Sequence, residues 1–146
     1  MTAKKAKRDS TRKTSTIRKT VNVILDTNFF VDMFRFKIGF DDIEDVVERK
    51  CDFWVVEPSI DELRRMKAKE SKIALKMIGG KVNVLKLKKK ISNVDDALIS
   101  LIKQNKKGGG PVGYIVATND AKLRKRIKTL GTRVIYLRAR KYLEIH

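Results

Sequence analysis

The chain has 146 residues, of which 42% are hydrophobic, the size and composition of one ordinary globular domain. Its 35 Lys and Arg against 17 Asp and Glu give a formal net charge of +18, which predicts a polyanionic partner but does not separate RNA, DNA, ribosome and anionic membrane. The single cysteine, Cys51, excludes an internal disulfide, and no apolar run is long enough for a membrane span or a signal peptide. We therefore expect a cytoplasmic protein that makes no membrane contact.

Residues 1–20 differ in composition from the rest of the chain. They hold eight Lys and Arg and one large apolar residue, Ile17, which is too little apolar surface to offset the entropy lost on ordering. We interpret them as a disordered basic arm and residues 21–146 as the folded domain. The arm could be a solubilising tail or a contact for RNA, and its charge favours the second interpretation.

Predicted strands and helices alternate in the first half of the domain. Residues 21–25 form a β-branched run typical of a buried parallel strand, and a short helix over 28–34 follows. An acidic helix over 41–50 leads to a second strand over 53–56. Ser59 after this strand has the character of a helix N-cap.

The same alternation continues to the end of the chain. Glu62 stands three residues after Ser59, the spacing of a capping box, and this helix is predicted to run to Gly79 and Gly80. The remaining predicted elements are an edge strand over 82–87, a helix over 92–105, a loop over 108–111, a strand over 114–117, a helix over 121–130 and a last strand over 134–137. The alternation predicts an α/β fold whose central, mainly parallel sheet is covered by helices on both faces.

Acidic side chains follow the strands at the edge where parallel sheets bind ligands. Asp26 comes directly after one convincing buried strand, and Asp120 follows another after Thr118 and Asn119, so both lie near a carboxyl end. Glu62 begins near the same edge, and Asp95 and Asp96 lie in the first turn of a helix. We expect these carboxylates to converge.

Converging carboxylates repel one another and predict a cation among them. Ligands that are all oxygen favour magnesium or manganese (Mg²⁺ or Mn²⁺) over zinc, and the only histidine is the C-terminal His146. Such a site orients water and stabilises charge on a phosphodiester. Each acid also has a structural alternative: Asp26 and Asp120 could cap helices, Glu62 could belong to the capping box, and Asp95 and Asp96 could balance a helix dipole.

Four short blocks, in order, resemble the signature of the PIN-domain ribonuclease family. They are Val-Ile-Leu-Asp-Thr-Asn (23–28), Pro-Ser-Ile-Asp-Glu-Leu (58–63), Asp-Asp-Ala-Leu-Ile (95–99) and Ala-Thr-Asn-Asp (117–120). The resemblance covers residues 21–140. It implies a Rossmann-like three-layer α/β/α fold and Mg²⁺- or Mn²⁺-dependent hydrolysis of RNA phosphodiester bonds.

The resemblance also implies roles for single residues. Those matching the family's metal-binding acids are Asp26, Glu62, Asp96 and Asp120, with Thr118 as the supporting hydroxyl and Asn28 and Asn119 as residues behind the ligands. Asp95 is the alternative to Asp96, because a helical wheel places it between Ile99 and Ile102 in the apolar arc.

Within the family, residues 117–138 resemble archaeal and eukaryotic nucleases of ribosomal RNA processing more than VapC toxins. The stretches that carry this resemblance are Ala-Thr-Asn-Asp (117–120), Leu-Arg-Lys-Arg (123–126) and Val-Ile-Tyr-Leu-Arg (134–138). We therefore expect ribosomal RNA or a pre-ribosome as partner. The expected phosphate contacts are Arg124, Arg126, Arg138, Arg140 and Lys141.

Other functions remain open from the sequence. The charge would suffice for an RNA-binding or ribosome-assembly module without catalysis, the family includes VapC-type toxins, and a phosphatase-like domain also gathers aspartates at strand ends. An edge strand and the apolar Phe29, Phe30, Phe34 and Phe36 suggest a homodimer, although such phenylalanines more often lie in a core.

Overall fold

The computed structural model describes residues 20–107 and 114–146. The predicted loop over 108–111 and all of the predicted arm except Thr20 lie outside these residues. The described strands are β1 (Val21–Leu25), β2 (Cys51–Val56), β3 (Val82–Leu85), β4 (Ile115–Ala117), β5 (Val134–Arg138) and β6 (Tyr142–Ile145). The described helices are α1 (Thr27–Arg35), α2 (Phe40–Val47), α3 (Glu57–Arg65), α4 (Lys69–Met77), α5 (Val94–Lys107) and α6 (Ala121–Thr129).

One sheet in the order β3-β2-β1-β4-β5-β6 forms the centre of the fold. The first five strands in this order are parallel, and β6 pairs antiparallel with β5. β3 lies at one edge of the sheet, as predicted. All the carboxyl ends of the parallel strands therefore meet at one side of the sheet, which we call the carboxyl edge.

Alternate residues of β1 face two separate cores. Val23 and Leu25 pack into a first core with side chains of α1, α2 and α4, whereas Ile24 packs into a second core with α5 and α6. Since successive residues of a strand point to opposite faces, helices cover both faces of the sheet. The predicted three-layer α/β/α architecture with a mainly parallel sheet is confirmed.

The helix predicted to follow Ser59 differs from the one observed. α3 begins at Glu57 and is capped by Val56, with Pro58 in its first turn, so the prediction of Ser59 as the N-cap was wrong. Proline suits this position because its fixed φ is helical and its missing N–H has no partner in a first turn. Glu62 is consequently not part of a capping box.

The predicted helix over 59–80 is in fact two helices, α3 and α4. The chain turns at Met66 and Ala68, which both have extended backbone angles. The turn lets Leu63 and Ala74 pack into the same core. Ser71 Oγ donates to the carbonyl of Ala68 at 2.6 Å and satisfies a carbonyl at the turn.

The strand β6 was not predicted, because its hairpin lacks the usual turn residues. Ala139 and Arg140 at the turn have φ of 54° and 57°, the conformation of a type I′ turn that normally carries Asn and Gly. β6 completes the sheet and packs Leu143 and Ile145 against the first core.

The phenylalanines considered for a dimer surface belong mainly to the interior. Phe29 and Phe30 are buried in the first core, and Phe34 packs against it. The homodimer stays a prediction. Among the described helices, none combines the length and apolar character that crossing a bilayer needs.

Candidate active site

The carboxyl ends of β1 and β4 lie side by side and bring two predicted residues into contact. Leu25 and Ala117 are register partners, and the N–H of Asp26 donates to the carbonyl of Ala117 at 2.9 Å. The residues that follow, Asp26 and Thr118, therefore stand next to each other. Thr118 Oγ1 donates to Asp26 Oδ2 at 2.7 Å.

Asp26 is a buried carboxylate with two hydrogen-bonded oxygens. Only 5% of the residue is exposed, and its Oδ1 accepts from the Thr27 N–H at 2.9 Å, which caps α1. Burial raises the pKa of Asp26 to about 6; the hydrogen bond from Thr118 lowers this pKa, and the charges of Asp95 and Glu62 raise it. Asp26 is thus a helix cap and also faces two other acids.

Asp120 is joined to Asp26 through Thr118. Its N–H donates to Thr118 Oγ1 at 3.1 Å, so one hydroxyl contacts both aspartates. Asp120 Oδ1 accepts from the N–H groups of Lys122 and Leu123 at 2.9 and 3.2 Å and caps α6. In the described part of the chain its exposed Oδ2 accepts no hydrogen bond, which leaves that oxygen available to a ligand.

Glu62 lies in the second turn of α3 and is half-buried. Its charge raises the pKa of Asp26 and of Asp95, which places it electrostatically among the other acids. α3 is held close to Asp26 by buried hydroxyls, since Thr27 Oγ1 donates to Ser59 Oγ at 3.0 Å. Ser59, predicted as a cap, instead joins α3 to α1.

The structure distinguishes the neighbours Asp95 and Asp96. Burial raises the pKa of Asp95, and so do the charges of Asp120 and Glu62, whereas Arg126 lowers it. Asp96 is exposed and lines a groove of about 400 Å³ between α5 and α6 that includes Lys103 and Arg126. The charges of Asp120 and Glu62 therefore act on the partly buried Asp95, whereas Asp96 lies at the exposed groove.

A network behind Asp120 holds the end of β4 in place. Asn119 Nδ2 donates to Asp32 Oδ2 at 2.9 Å, and Asn119 Oδ1 accepts from the Leu137 N–H at 2.8 Å. Asn119 thus ties β4 to α1 and β5. Asp32 was missed by the sequence reasoning, which offers no local signal for it, and Asn28 is exposed on the first turn of α1.

The five basic residues predicted to contact RNA lie on two elements. Arg124 and Arg126 are on α6, and Arg138, Arg140 and Lys141 end β5 and form the hairpin to β6. Several of them already contact other groups of the protein. Arg124 donates to the Asn119 carbonyl at 3.0 Å, and its guanidinium stacks 4.2 Å from the centre of the Tyr136 ring.

The hairpin residues also contact the protein. Arg138 forms an ion pair of 2.8 Å with Glu144, and the Arg140 guanidinium lies 5.9 Å from the centre of the Phe36 ring. Lys141 lies 5.8 Å from the Tyr142 ring. The charge of Arg126 lowers the pKa of Asp95, and Arg126 lines the same groove as Asp96.

The donor set matches a hard divalent cation. Asp26, Glu62, Asp95 and Asp120 offer oxygens only, and within residues 20–107 and 114–146 no lysine or arginine forms an ion pair with any of them. In the same residues, no three acidic, histidine or cysteine side chains stand at distances that would hold a metal ion as they are. The fit of these residues to a cation therefore depends on Asp26, a buried carboxylate that is exposed to the negative charges of Asp95 and Glu62.

Comparison with known proteins adds independent observations. A family model described as "PIN like domain" matches residues 23–140. The chain is 32% identical to "Ribonuclease VapC4" of Methanocaldococcus jannaschii over 131 residues, which are 84% of this chain and 95% of that protein. It also resembles the solved structure of "the PIN domain endonuclease Utp24", with a TM-score of 0.72 and 25% identity over 86% of this chain and 90% of that one.

Proposed function

The chain belongs to the family of PIN-like domains, and from that premise we propose that it is a Mg²⁺- or Mn²⁺-dependent ribonuclease that hydrolyses RNA phosphodiester bonds. The names of the two similar proteins, a ribonuclease and an endonuclease, support nuclease activity. The net charge of +18 supports a nucleic acid as substrate.

One observation carries the proposal above all others. Asp26 is buried, its pKa is raised by burial, and it faces the charges of Asp95 and Glu62 with no described ion-pair partner. A buried carboxylate surrounded by like charge destabilises the folded chain unless a cation or a proton compensates. Helix capping would explain Asp26 alone, whereas a metal site explains why other acids act on it as well.

The residues that would hold the metal are Asp26, Glu62, Asp95 and Asp120. Asp95 replaces Asp96 in this set because Asp95 is the one that interacts with Glu62 and Asp120. When bound, the metal would orient and activate water and stabilise negative charge on the phosphodiester.

The protein itself supplies positioning. The Thr118 hydroxyl donates to Asp26 and accepts from the N–H of Asp120. These two hydrogen bonds fix the position of one aspartate relative to the other. Thr27 and Ser59 hold α3, and with it Glu62, against the start of α1. Groups aligned before substrate arrives lose little free energy to reorganisation during the reaction.

Cleavage of RNA by purified protein tests the proposal. We expect the parent chain to cleave with Mn²⁺ or Mg²⁺ and not with EDTA, and Asp26→Asn and Asp120→Asn, singly and together, to lower kcat/KM by more than about 100-fold, since even residues behind metal ligands contribute about 10- to 100-fold. Asp61→Asn is the matched control, because Asp61 is exposed beside Glu62 and lies outside the acidic set. Equal cleavage by the parent and the double variant would show a contaminating nuclease.

The ribosomal RNA target is a finer part of the proposal and depends on the C-terminal sequence pattern. The family members found to be similar include a protein named VapC4, so the choice between ribosomal processing and a toxin stays a prediction. Cleavage of a ribosomal RNA fragment at one mapped position, compared with a transfer RNA, would support the first. Equal cleavage of the two RNAs would contradict a ribosomal target.

A second candidate is an RNA-binding module without catalysis. The observation that favours it is the exposed basic surface, which would bind RNA whether or not the acids hold a metal. It predicts tight RNA binding by the parent and by the Asp26→Asn variant with no metal-dependent cleavage by either.

A further inference from the structure

Four lysines, Lys86, Lys88, Lys89 and Lys90, lie in the connection between β3 and α5; we call them the lysine segment. β3 is parallel to β2, so the segment leaves the sheet at the same carboxyl edge as Asp26. The connection ends at α5, whose first turn carries Asp95. The lysine segment therefore borders the acidic site on its β3 side.

Apolar neighbours hold this segment against the protein. Leu85, Leu87 and Ile91 are partly buried and pack against the second core, and the Leu87 N–H donates to Glu57 Oε1 at 3.4 Å. The four lysines between them are exposed, and none forms an ion pair with a residue of the described ranges. The positive charge is thus anchored in position and is not paired with an acid of the described residues.

The opposite side of the acidic site is different. There Arg138 is paired with Glu144, and Arg124 stacks on Tyr136 while donating to the Asn119 carbonyl. The charge of Arg138 is thus compensated by a carboxylate, and Arg124 has part of its guanidinium already engaged by protein groups, which leaves fewer N–H donors for a phosphate. Arg126, Arg140 and Lys141 also lie on that side without a described ion pair, but they belong to a helix and a hairpin turn, whereas the lysine segment places four such charges within five consecutive residues.

We propose that the lysine segment is an RNA-binding subsite that holds the phosphate backbone of a single strand as it passes from the acidic site over the end of β3. The proposal rests on the ribonuclease function above and names the path of its substrate. Lysines that contact phosphate act as point charges, and such contacts carry no sequence information, so the subsite confers affinity and not sequence preference.

Binding measurements on a cleavage-deficient chain test this path. Lys88→Gln, Lys89→Gln and Lys90→Gln are combined in the Asp26→Asn background, and the Kd for a fluorescein-labelled single-stranded RNA is measured by anisotropy in EDTA over a range of salt concentrations. We expect Kd to rise about 10- to 100-fold at 0.1 M salt and the slope of log K against log salt to fall by about 2, since each phosphate contact on a single strand contributes about 0.7.

The matched control removes the same charge elsewhere. Lys125→Gln, Lys128→Gln and Arg133→Gln change three exposed residues on α6 and before the amino end of β5, away from the carboxyl edge. In the same Asp26→Asn background, we expect this variant to keep the slope of log K against log salt within about 1 of the slope of Asp26→Asn alone. An equal loss in both triple variants would overturn the proposal, because it would show that only total charge matters, and so would an unchanged slope in the first.

Cleavage by the parent is measured separately. If the parent does not cleave but the lysine-segment variant loses RNA binding selectively, the ribonuclease proposal fails and the RNA contact stands. If the parent cleaves while the lysine-segment variant binds RNA as its background does, the ribonuclease proposal stands and this subsite is overturned.

Discussion

The hydroxyl of Thr118 donates a hydrogen bond of 2.7 Å to Oδ2 of Asp26, across 92 residues of sequence. The bond joins the ends of two adjacent parallel strands, β4 and β1, and the same hydroxyl oxygen accepts from the N–H of Asp120. Both residues of the pair are buried. Thr118 therefore has two roles. It stabilises the fold as the hydrogen-bond partner of a buried carboxylate, and it orients the two acids.

Thr118→Val tests both roles, because valine has the same shape without the hydroxyl. We expect kcat/KM to fall about 10- to 100-fold, as for other residues behind metal ligands. The free energy of unfolding should fall by about 1–3 kcal/mol, since a buried carboxylate and an N–H lose their partner. Thr118→Ser keeps the hydroxyl and should retain most activity. If valine and serine behave alike, the hydroxyl has no role in orienting Asp26.

The raised pKa of Asp26 predicts how stability depends on pH. Its pKa is about 6 in the folded chain, against the ordinary aspartate value of 3.8 that applies once the chain unfolds, so the folded state binds this proton more tightly. The resulting stabilisation is complete below about pH 4 and is lost as the pH rises through about 6, a difference of about 3 kcal/mol by linkage. Asp26→Asn should remove this contribution and be more stable than the parent at pH 7 without metal.

Chemical denaturation of the parent and of Asp26→Asn at a series of pH values measures the effect. The difference between the two curves isolates Asp26 from the other titrating groups. Mn²⁺ should raise the Tm of the parent more at pH 7 than at pH 5, because metal and proton compete for the carboxylate. A pH-independent difference between the two proteins would mean that Asp26 has the same pKa in the folded and the unfolded chain.

Asp95 and Asp96 form a matched pair for the metal site. Asp95 interacts with Asp120 and Glu62, whereas Asp96 lines the groove with Lys103 and Arg126. We expect Asp95→Asn to lower metal-dependent cleavage by more than about 100-fold and Asp96→Asn by less than about 10-fold. Initial rates against Mn²⁺ concentration would separate lost metal affinity from lost turnover. A larger loss in Asp96→Asn than in Asp95→Asn would instead identify Asp96 as the metal ligand, as the family resemblance implies.

The parts of the site that follow strands could be predicted, because a strand end is visible in the local pattern. Asp26 comes directly after β1 and Asp120 three residues after the end of β4, and both lie at the carboxyl edge. The rotation of a helix relative to its neighbours is not local. The helical wheel favoured Asp95 and the family resemblance favoured Asp96, and the packing of α5 sets which of the two is partly buried and within reach of the charge of Asp120.

Two features of the fold were beyond prediction for a related reason. The break between α3 and α4 falls at residues 66–68, which contain neither glycine nor proline, so packing of Leu63 and Ala74 into one core imposes it. The Asn119–Asp32 hydrogen bond links residues 87 apart, and its formation requires α1 to cross near the end of β4.

The turn between β5 and β6 is a place where substitutions should stabilise the protein. Ala139 and Arg140 both adopt left-handed backbone angles, which cost non-glycine residues about 1–2 kcal/mol each. Ala139→Asn combined with Arg140→Gly supplies the residues that a type I′ turn prefers. We expect the free energy of unfolding to rise by about 1 kcal/mol, since losing the Arg140 contact with Phe36 offsets part of the gain.

Thermal and urea unfolding of the double variant measure this gain. Because Leu143 and Ile145 of β6 pack against the first core, a better turn should stabilise the whole domain and not only the hairpin. Lys125→Gly is the control: it places glycine inside α6, where it should lower stability by about 1 kcal/mol. A lower Tm for the double variant would mean that Arg140 stabilises the hairpin through Phe36 by more than its strained backbone costs.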